Sequence, residues 1–397
     1  MVGGMVRDII MGRGTVDVDV VVNGDGPSFA ASLAALTGGS IVLHDRFGTS
    51  VLILPDKRRV DVATARTETY NAAAALPDVS FTVIDYDLKR RDFSINAVAV
   101  ALGSAEFGEV LDPFNGQADI AAGVIRVLHE GSFVDDPTRI FRAARFEQRF
   151  QFHLDEETER LLRAAVRAGL LNHVSGARVR NEVMAIFEER EPATTVKRLQ
   201  DFGVWNALVP GLDANVTAAT IVAAITMAGK ELSPSLKPDW RTFNAYLMGL
   251  ATDASEAAAR DLTERLGLSH HSRRAVTRAV AGRSLVLSEL ANEPQPSVLR
   301  QTLAGYSDAA LVFFYAAGDA AVRASIERFL AGRRIKPLIT GRDLTRQGYL
   351  PSAVFSDVLE SVMAAQLDGI VKTVAEANEL ARQLLDAANQ IAVSGDK

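Results

Sequence analysis

Thr15-Val-Asp-Val-Asp-Val-Val-Val22 alternates carboxylates with valines. Successive strand side chains point to opposite faces, so Asp17 and Asp19 project to one side while Val16, Val18 and Val20 pack behind them. Upstream stands Gly3-Gly4-Met-Val-Arg7-Asp8, a glycine pair before a helical pattern. Its backbone N–H groups can cradle a triphosphate, and Arg7, one turn on, supplies a phosphate-reading guanidinium. Downstream, Arg59-Val-Asp-Val-Ala63 puts Asp61 on a strand of its own, facing away from Val60 and Val62. Alone, a Gly-Gly turn is usually structural and an Asp-x-Asp strand an ordinary half-exposed edge. Together they point to nucleotidyl transfer with two Mg2+ ions about 3.5–4 Å apart. In that chemistry Asp17 and Asp19 bind the metals and Asp61 supports the attacking hydroxyl.

Composition bounds the rest. At 397 residues the chain exceeds what one hydrophobic core organises, so several modules are expected. No apolar run approaches the roughly 20 residues of a membrane span. Cysteine is absent, which excludes disulfides and thiolate metal sites. With no secretory pattern at the start either, a cytoplasmic location is expected. The net charge of -6 does not advertise a polyanion partner, but basic residues cluster at Lys57 to Arg59, Lys89 to Arg91, Arg139 to Arg149, Arg178/Arg180, Arg273/Arg274 and Arg333/Arg334. Such a mosaic either binds phosphates locally or is simply solvated.

Residues 1–125 mix β-branched runs with Gly, Pro and Asp turns and read as an α/β module. Thereafter the pattern is helical, with breaks that suggest segments 126–190, 191–335 and 336–397. Pro137 suits a first helical turn, so a helix capped by Asp135 or Asp136 is expected through Phe150. On it Arg139, Arg142, Arg145 and Arg149 share one face, while Ile140, Phe141, Ala144 and Phe146 turn inward. A solvated stripe is the default for such a face. His44-Asp45 evokes a metal-dependent phosphohydrolase, but the remaining histidines lack matching ligand spacing. His270-His271 reads as a surface pair at a helix start. Met1-Val-Gly-Gly4 leaves little room for a strand ahead of the glycine turn, so an uncovered sheet edge is expected there.

Gly3 to Asp8, Gly12-Arg13, Asp17-Val-Asp19, Asp61-Val-Ala-Thr-Ala-Arg66, Arg90-Arg-Asp-Phe-Ser-Ile-Asn-Ala97 and Asp135-Asp-Pro-Thr-Arg-Ile-Phe-Arg-Ala-Ala-Arg-Phe146 follow one another in order. This series resembles the motifs of the class II tRNA nucleotidyltransferases: CCA-adding enzymes with their CC-adding, A-adding and bacterial poly(A) polymerase relatives. The resemblance implies an α/β nucleotidyltransferase head (a small mixed sheet with helices) followed by an all-α neck, body and tail, over the four segments above. It implies template-independent addition of CMP and/or AMP to the tRNA 3′ end from CTP and ATP. The base would be selected by protein side chains, Asp136 accepting from an exocyclic amine and Arg139 donating to a ring acceptor. Gly3 and Gly4 would hold the triphosphate with Arg7, Arg91, Arg142 and Arg145, and Asp92 would buttress the fold. Asp135 stands where the family has glutamate, which puts that residue's orienting role in doubt. The implied partners are tRNA, gripped at acceptor end and elbow, and nucleoside triphosphates, with neither DNA nor membrane. A poly(A) polymerase shares every head motif. A catalytically inactive RNA-binding relative is the alternative of another class, and three mutually repelling acids on apolar strands argue against it. Gly341-Arg-Asp-Leu344 to Gly348 and Leu367-Asp-Gly369 look similar to the tail of the A-adding branch, which favours A-adding or full CCA addition.

Overall fold

The computed structural model describes residues 1–14, 18–44, 48–69, 74–75, 77–238 and 242–394. Asp17 and Asp45 lie outside the described residues. The described chain forms two compact units, Met1–Asp213 with Glu264–Gly267 and Ala214–Thr263 with Leu268–Lys397.

The first unit begins with α1 (Gly4–Ile10), β1 (Val18–Val22), α2 (Gly26–Thr37), β2 (Ser40–His44), β3 (Thr49–Ile53) and β4 (Arg59–Thr64). The strands make a mixed sheet in the order β1-β4-β3-β2, with β1 parallel to β4 and the other pairs antiparallel. Alternation decides which face is buried: Val18, Val20 and Val22 pack with Leu52, Val60 and Val62 against Ala30 and Ala34 of α2. Each fully buried side chain of this kind contributes about 1.5–3 kcal/mol. Asp25 caps α2, its carboxylate accepting from Ser28 N–H at 3.0 Å.

Then come β5 (Arg66–Thr69) paired with β6 (Asp78–Phe81), α3 (Ile84–Lys89), a 3-10 turn at Ser94–Asn96, β7 (Ala99–Val100) paired with β8 (Val110–Leu111), α4 (Gly116–Ala122) and β9 (Val124–Ile125). Short as it is, Met1–Gly3 bridges β1 and β7. Val2 N–H donates to the Asp19 carbonyl at 3.1 Å, Gly3 N–H to Val98 at 3.1 Å, and Val100 N–H to Met1 at 2.9 Å. At the β1 edge expected to lie uncovered, this segment thus supplies one backbone hydrogen bond, to Asp19, while β1 remains the outer strand of its sheet.

Helices follow: α5 (Ser132–Asp135), α6 (Arg139–Phe150), then β10 (His153–Leu154), α7 (Glu156–Arg167), α8 (Gly176–Phe187), α9 (Pro192–Asp201) and α10 (Val204–Leu208). The helix expected from Pro137 begins at Arg139, because Asp136 Oδ1 accepts from Thr138 N–H at 2.9 Å and Thr138 Oγ1 at 2.6 Å, folding 136–138 into a turn. The break at Pro192 does not end this unit. α9 packs on α6, and the buried Trp205 indole donates to the Val196 carbonyl at 2.9 Å, so the chain stays with the neck helices through Asp213.

The second unit contains α11 (Val216–Leu232), α12 (Thr242–Leu250), α13 (Glu256–Arg265, its end in the first unit), α14 (His270–Ala291), α15 (Pro296–Leu303), α16 (Asp308–Ala317) and α17 (Ala320–Gly332). α16 is apolar all round and buried along its length, enclosed by α11, α12, α14 and α17. Beyond it α18 (Gly341–Arg346), α19 (Val354–Leu367) and α20 (Val374–Ser394) share a core of Ile339, Leu344, Phe355, Val358, Val362 and Leu385.

Candidate active site

The parallel pairing of β1 with β4 sets Asp19 directly opposite Asp61. Neighbouring strands lie about 4.8 Å apart, so the two carboxylates share the face that α2 does not cover. Arg59 Nη2 meets Asp61 Oδ1 at 2.7 Å. Carboxylate oxygens side by side are the hard donor set that Mg2+ takes. Asp17 would fall on the same face by strand alternation, but it lies outside the described residues, and among those residues there is no group of three or more potential metal ligands.

Asp19 lines a cavity of about 490 Å³ whose other walls are α1, the segment 90–96 and α6. Seven arginines face four carboxylates across it, a net of three positive charges in a chain whose total is -6. Gly4, Arg7, Arg91, Asp136, Arg139, Arg142 and Arg145 all line it. Gly3 is set behind Arg91. Its φ of +68° is the left-handed region that glycine favours, and a Cβ there would come within 2.5 Å of Arg91 Nη1.

Arg7 sits in the wall rather than projecting into the space. It is 5% exposed, its Nη1 donates to Asn96 Oδ1 at 2.6 Å, its Nε to Asp8 at 2.8 Å, and its Cζ lies 4.5 Å from the Phe150 ring centroid. Asn96 Nδ2 passes the chain of bonds on to Asp92 Oδ1 at 2.9 Å, and Arg142 grips Asp92 Oδ2 through Nη2 at 2.6 Å and Nε at 2.8 Å. Burial raises the Asp92 carboxyl's pKa, but the Arg142 charge and the Asn96 and Arg142 hydrogen bonds outweigh it, holding the pKa at about 2. Asp92 thus ties α1 to α6 as a permanent anion.

The arginine face of α6 is buried at Arg139 and Arg145, half-buried at Arg142 and exposed only at Arg149. Arg139 is 5% and Arg145 8% exposed. Arg139 donates through Nη1 to Ser132 Oγ at 2.7 Å and through Nη2 to the Arg90 carbonyl at 2.7 Å, so each terminal nitrogen keeps a second N–H. Arg145 pairs with Glu189 at 3.3 Å. Arg91 and Arg145 each keep a buried Nε–H with no partner. Buried donors are normally satisfied, so these two unmet groups beside a positive cavity favour an anionic ligand. Asp135 lies apart from these donors, 3.8 Å from His129. Sequence reading placed Arg178 only in a basic cluster and passed over Glu182 and Glu189, although the four-residue spacing of Arg178 and Glu182 was a signal that both share one face of a helix.

His270 and His271 do begin a helix, capped by Ser269. They line a second cavity of about 1350 Å³ within the second unit, with Arg274, Arg278, Arg300 and Arg333. Arg278 is fixed there by Tyr306, 4.6 Å from its ring centroid, and by the Gly305 carbonyl at 2.9 Å.

Residues 1–126 match the family described as Poly A polymerase head domain, and residues 151–216 the one described as Probable RNA and SrmB- binding site of polymerase A. The chain is 30% identical to an A-adding tRNA nucleotidyltransferase of Halalkalibacterium halodurans, covering 97% of this chain and 88% of the relative. At 33% identity, the match to an A-adding tRNA nucleotidyltransferase of Geobacter sulfurreducens covers 98% of this chain, which spans 45% of that relative's length. The structure of a CCA-adding enzyme in apo form II superposes with a TM-score of 0.86 at 32% identity, covering 97% of this chain and 91% of that one. A Thermotoga maritima CCA-adding enzyme complexed with tRNA gives a TM-score of 0.76 at 30% identity over 98% and 90%.

A mixed sheet carrying paired acids opposite an arginine-lined helix is the architecture of a nucleotidyltransferase head on a helical stem. The chain belongs to the class II tRNA nucleotidyltransferase and poly(A) polymerase family.

Proposed function

We propose that this protein is a cytoplasmic A-adding tRNA nucleotidyltransferase, transferring AMP from ATP to the 3′ end of a tRNA that ends in CC and releasing pyrophosphate. The observation that carries the reading is the register pair Asp19 and Asp61 beside a cavity whose arginines keep unmet buried donors. Two magnesium ions held by Asp17 and Asp19 would lower the pKa of the attacking 3′-hydroxyl and neutralise the leaving pyrophosphate. Asp61 orients that hydroxyl. Arg91, Arg142 and Arg145 bind the triphosphate, while Arg7 shapes the wall behind it. Asp136 Oδ2, whose partner oxygen is already occupied, accepts from the adenine 6-amino group, and Arg139 donates to N1. Guanine and uracil present the reverse polarity and are refused.

The tRNA would lie along the second unit, where the cavity beside α14 offers guanidiniums for backbone phosphates. Two relatives matched over nearly the whole chain carry the A-adding name, which supports this end point over a full CCA reaction. Full CCA addition is the second reading, favoured by the TM-score of 0.86 to a CCA-adding enzyme. Incubation with tRNAs lacking the terminus, or ending in C or CC, tests both. A-addition requires ATP incorporation onto the CC-ending tRNA alone, and CMP incorporation onto the shorter ones would favour the second reading.

A further inference from the structure

Phe146 follows Arg145 on α6, one turn after Arg142, and its side chain forms part of the wall of the arginine-lined cavity. Three guanidiniums close on its ring. The Cζ atoms of Arg145, Arg142 and Arg7 lie 5.0, 5.2 and 5.5 Å from the ring centroid, the last reaching across from α1. The aromatic contacts continue behind it: Phe93 packs against the ring in a T-shaped arrangement at 6.0 Å, and Phe150 stacks on it at 5.7 Å with an interplanar angle of 20°. Phe150 in turn carries Arg7 at 4.5 Å and Arg13 at 5.1 Å. Four arginines thus rest on two neighbouring rings of one helix.

Gathering like charges in a largely buried wall is unfavourable. Burial and then the charge of Arg142 lower the Arg145 pKa, and burial foremost lowers that of Arg7. Along its edge each guanidinium has a hydrogen-bonding partner: Asp92 for Arg142, Glu189 for Arg145, and Asn96 with Asp8 for Arg7. A guanidinium donates only in its own plane, so these partners leave its faces to packing. Each of the three also has the Phe146 ring within cation–π reach, and the negative face of an aromatic quadrupole attracts a cation most where water is excluded. Phe146 is 5% exposed. A leucine there would fill much of the space and supply none of this attraction.

We infer that Phe146 is a positioning residue for the triphosphate, its π electrons and not its bulk alone holding Arg142 and Arg145 at the cavity with Arg7 behind them. This rests on the proposed role of Arg142 and Arg145 as triphosphate ligands. Phe146 acts through them. With the ring's attraction weakened, the guanidiniums are free to turn further toward Asp92, Glu182 and Glu189, and the nucleotide must draw them back at the expense of affinity.

The test replaces Phe146 in the full chain by phenylalanines bearing one, two and three ring fluorines, which withdraw density from the π face while keeping the shape of the ring. Calorimetry reads the dissociation constant of inorganic tripolyphosphate, and a steady-state assay on CC-ending tRNA reads the KM for ATP. Both rise with each fluorine, by about twofold a step and about five- to tenfold at three. A role in packing alone gives no such graded series. Phe146→Leu weakens tripolyphosphate binding by at least about tenfold, and should that variant fail to fold, the fluorinated series still decides. If Arg145→Ala weakens tripolyphosphate binding while the fluorinated series shows no change or tighter binding, Phe146 acts by bulk and the function proposed above stands without it. If Arg145→Ala itself leaves the constant unchanged, this arginine does not hold the triphosphate, and that reading of the cavity falls together with the inference.

Discussion

Asp19 faces Asp61 across a parallel strand pair, and that pairing makes the first prediction. Asp19→Ala removes a carboxylate that the proposed mechanism assigns to metal binding while leaving the guanidinium cradle in place, so AMP incorporation drops by at least about 10³-fold while ATP binding changes only a few-fold. A radiolabelled single-turnover assay measures the first and equilibrium binding the second. Gly3 carries the next prediction. A side chain at its φ of +68° costs about 1–2 kcal/mol and must also displace Arg91, so Gly3→Ala lowers the melting temperature and raises the KM for ATP. An unchanged KM would separate Gly3 from the site.

Asp92 links a residue to the pH dependence of the whole fold. Its pKa in the folded state, about 2, lies below the ordinary value near 3.9. The stability it confers is therefore present above about pH 4 and is lost as pH falls through about 2, amounting to about 2–3 kcal/mol. Asp92→Asn should flatten the acid limb of the unfolding free energy by that amount in urea titrations between pH 4 and 2. An acid limb unchanged by the substitution would contradict the ion-pair account.

At the scale of elements, what could be read from the sequence and what could not divide along physical lines. The β1 valines and the arginine spacing on α6 were legible because strand and helix periodicities are local. The start of α6 was misplaced by two residues because proline's fitness for a first turn competes with the Asp136 side chain, which makes a turn of its own. The burial of Arg139 and Arg145 was not legible, since nothing in their spacing reveals that α6 packs against α9 and the segment 90–96. Arg178 stands 42 residues from Asp136 and was visible only as one basic residue in a cluster. Whether a charge is solvated or holds another charge is settled by tertiary packing. On α14, Arg274 and Arg278 lie one turn apart beside the larger cavity. Replacing either with alanine should weaken tRNA binding and reduce the slope of log affinity against log salt by about 1 for each phosphate no longer neutralised, as fluorescence anisotropy would read. An unaltered slope would remove α14 from the RNA surface.

For the whole molecule, charge is distributed against its own total. A chain with a net charge of -6 gathers arginine in a cavity beside paired carboxylates in its first unit and in a second cavity within its helical remainder. That arrangement suits an enzyme that takes a nucleoside triphosphate at one place and a nucleic acid at another, and the proposed function follows from it. Neither cavity states where addition stops; two relatives matched over 97% and 98% of the chain carry the A-adding name, and the proposal takes its end point from them. The most direct measurement incubates the full chain with tRNA ending in CC and with tRNA lacking CCA, each with ATP and CTP supplied separately and together. The account predicts one AMP added to the CC-ending tRNA and no CMP added to either, and CMP incorporation onto the tRNA lacking CCA, or no AMP onto the CC end, would contradict it.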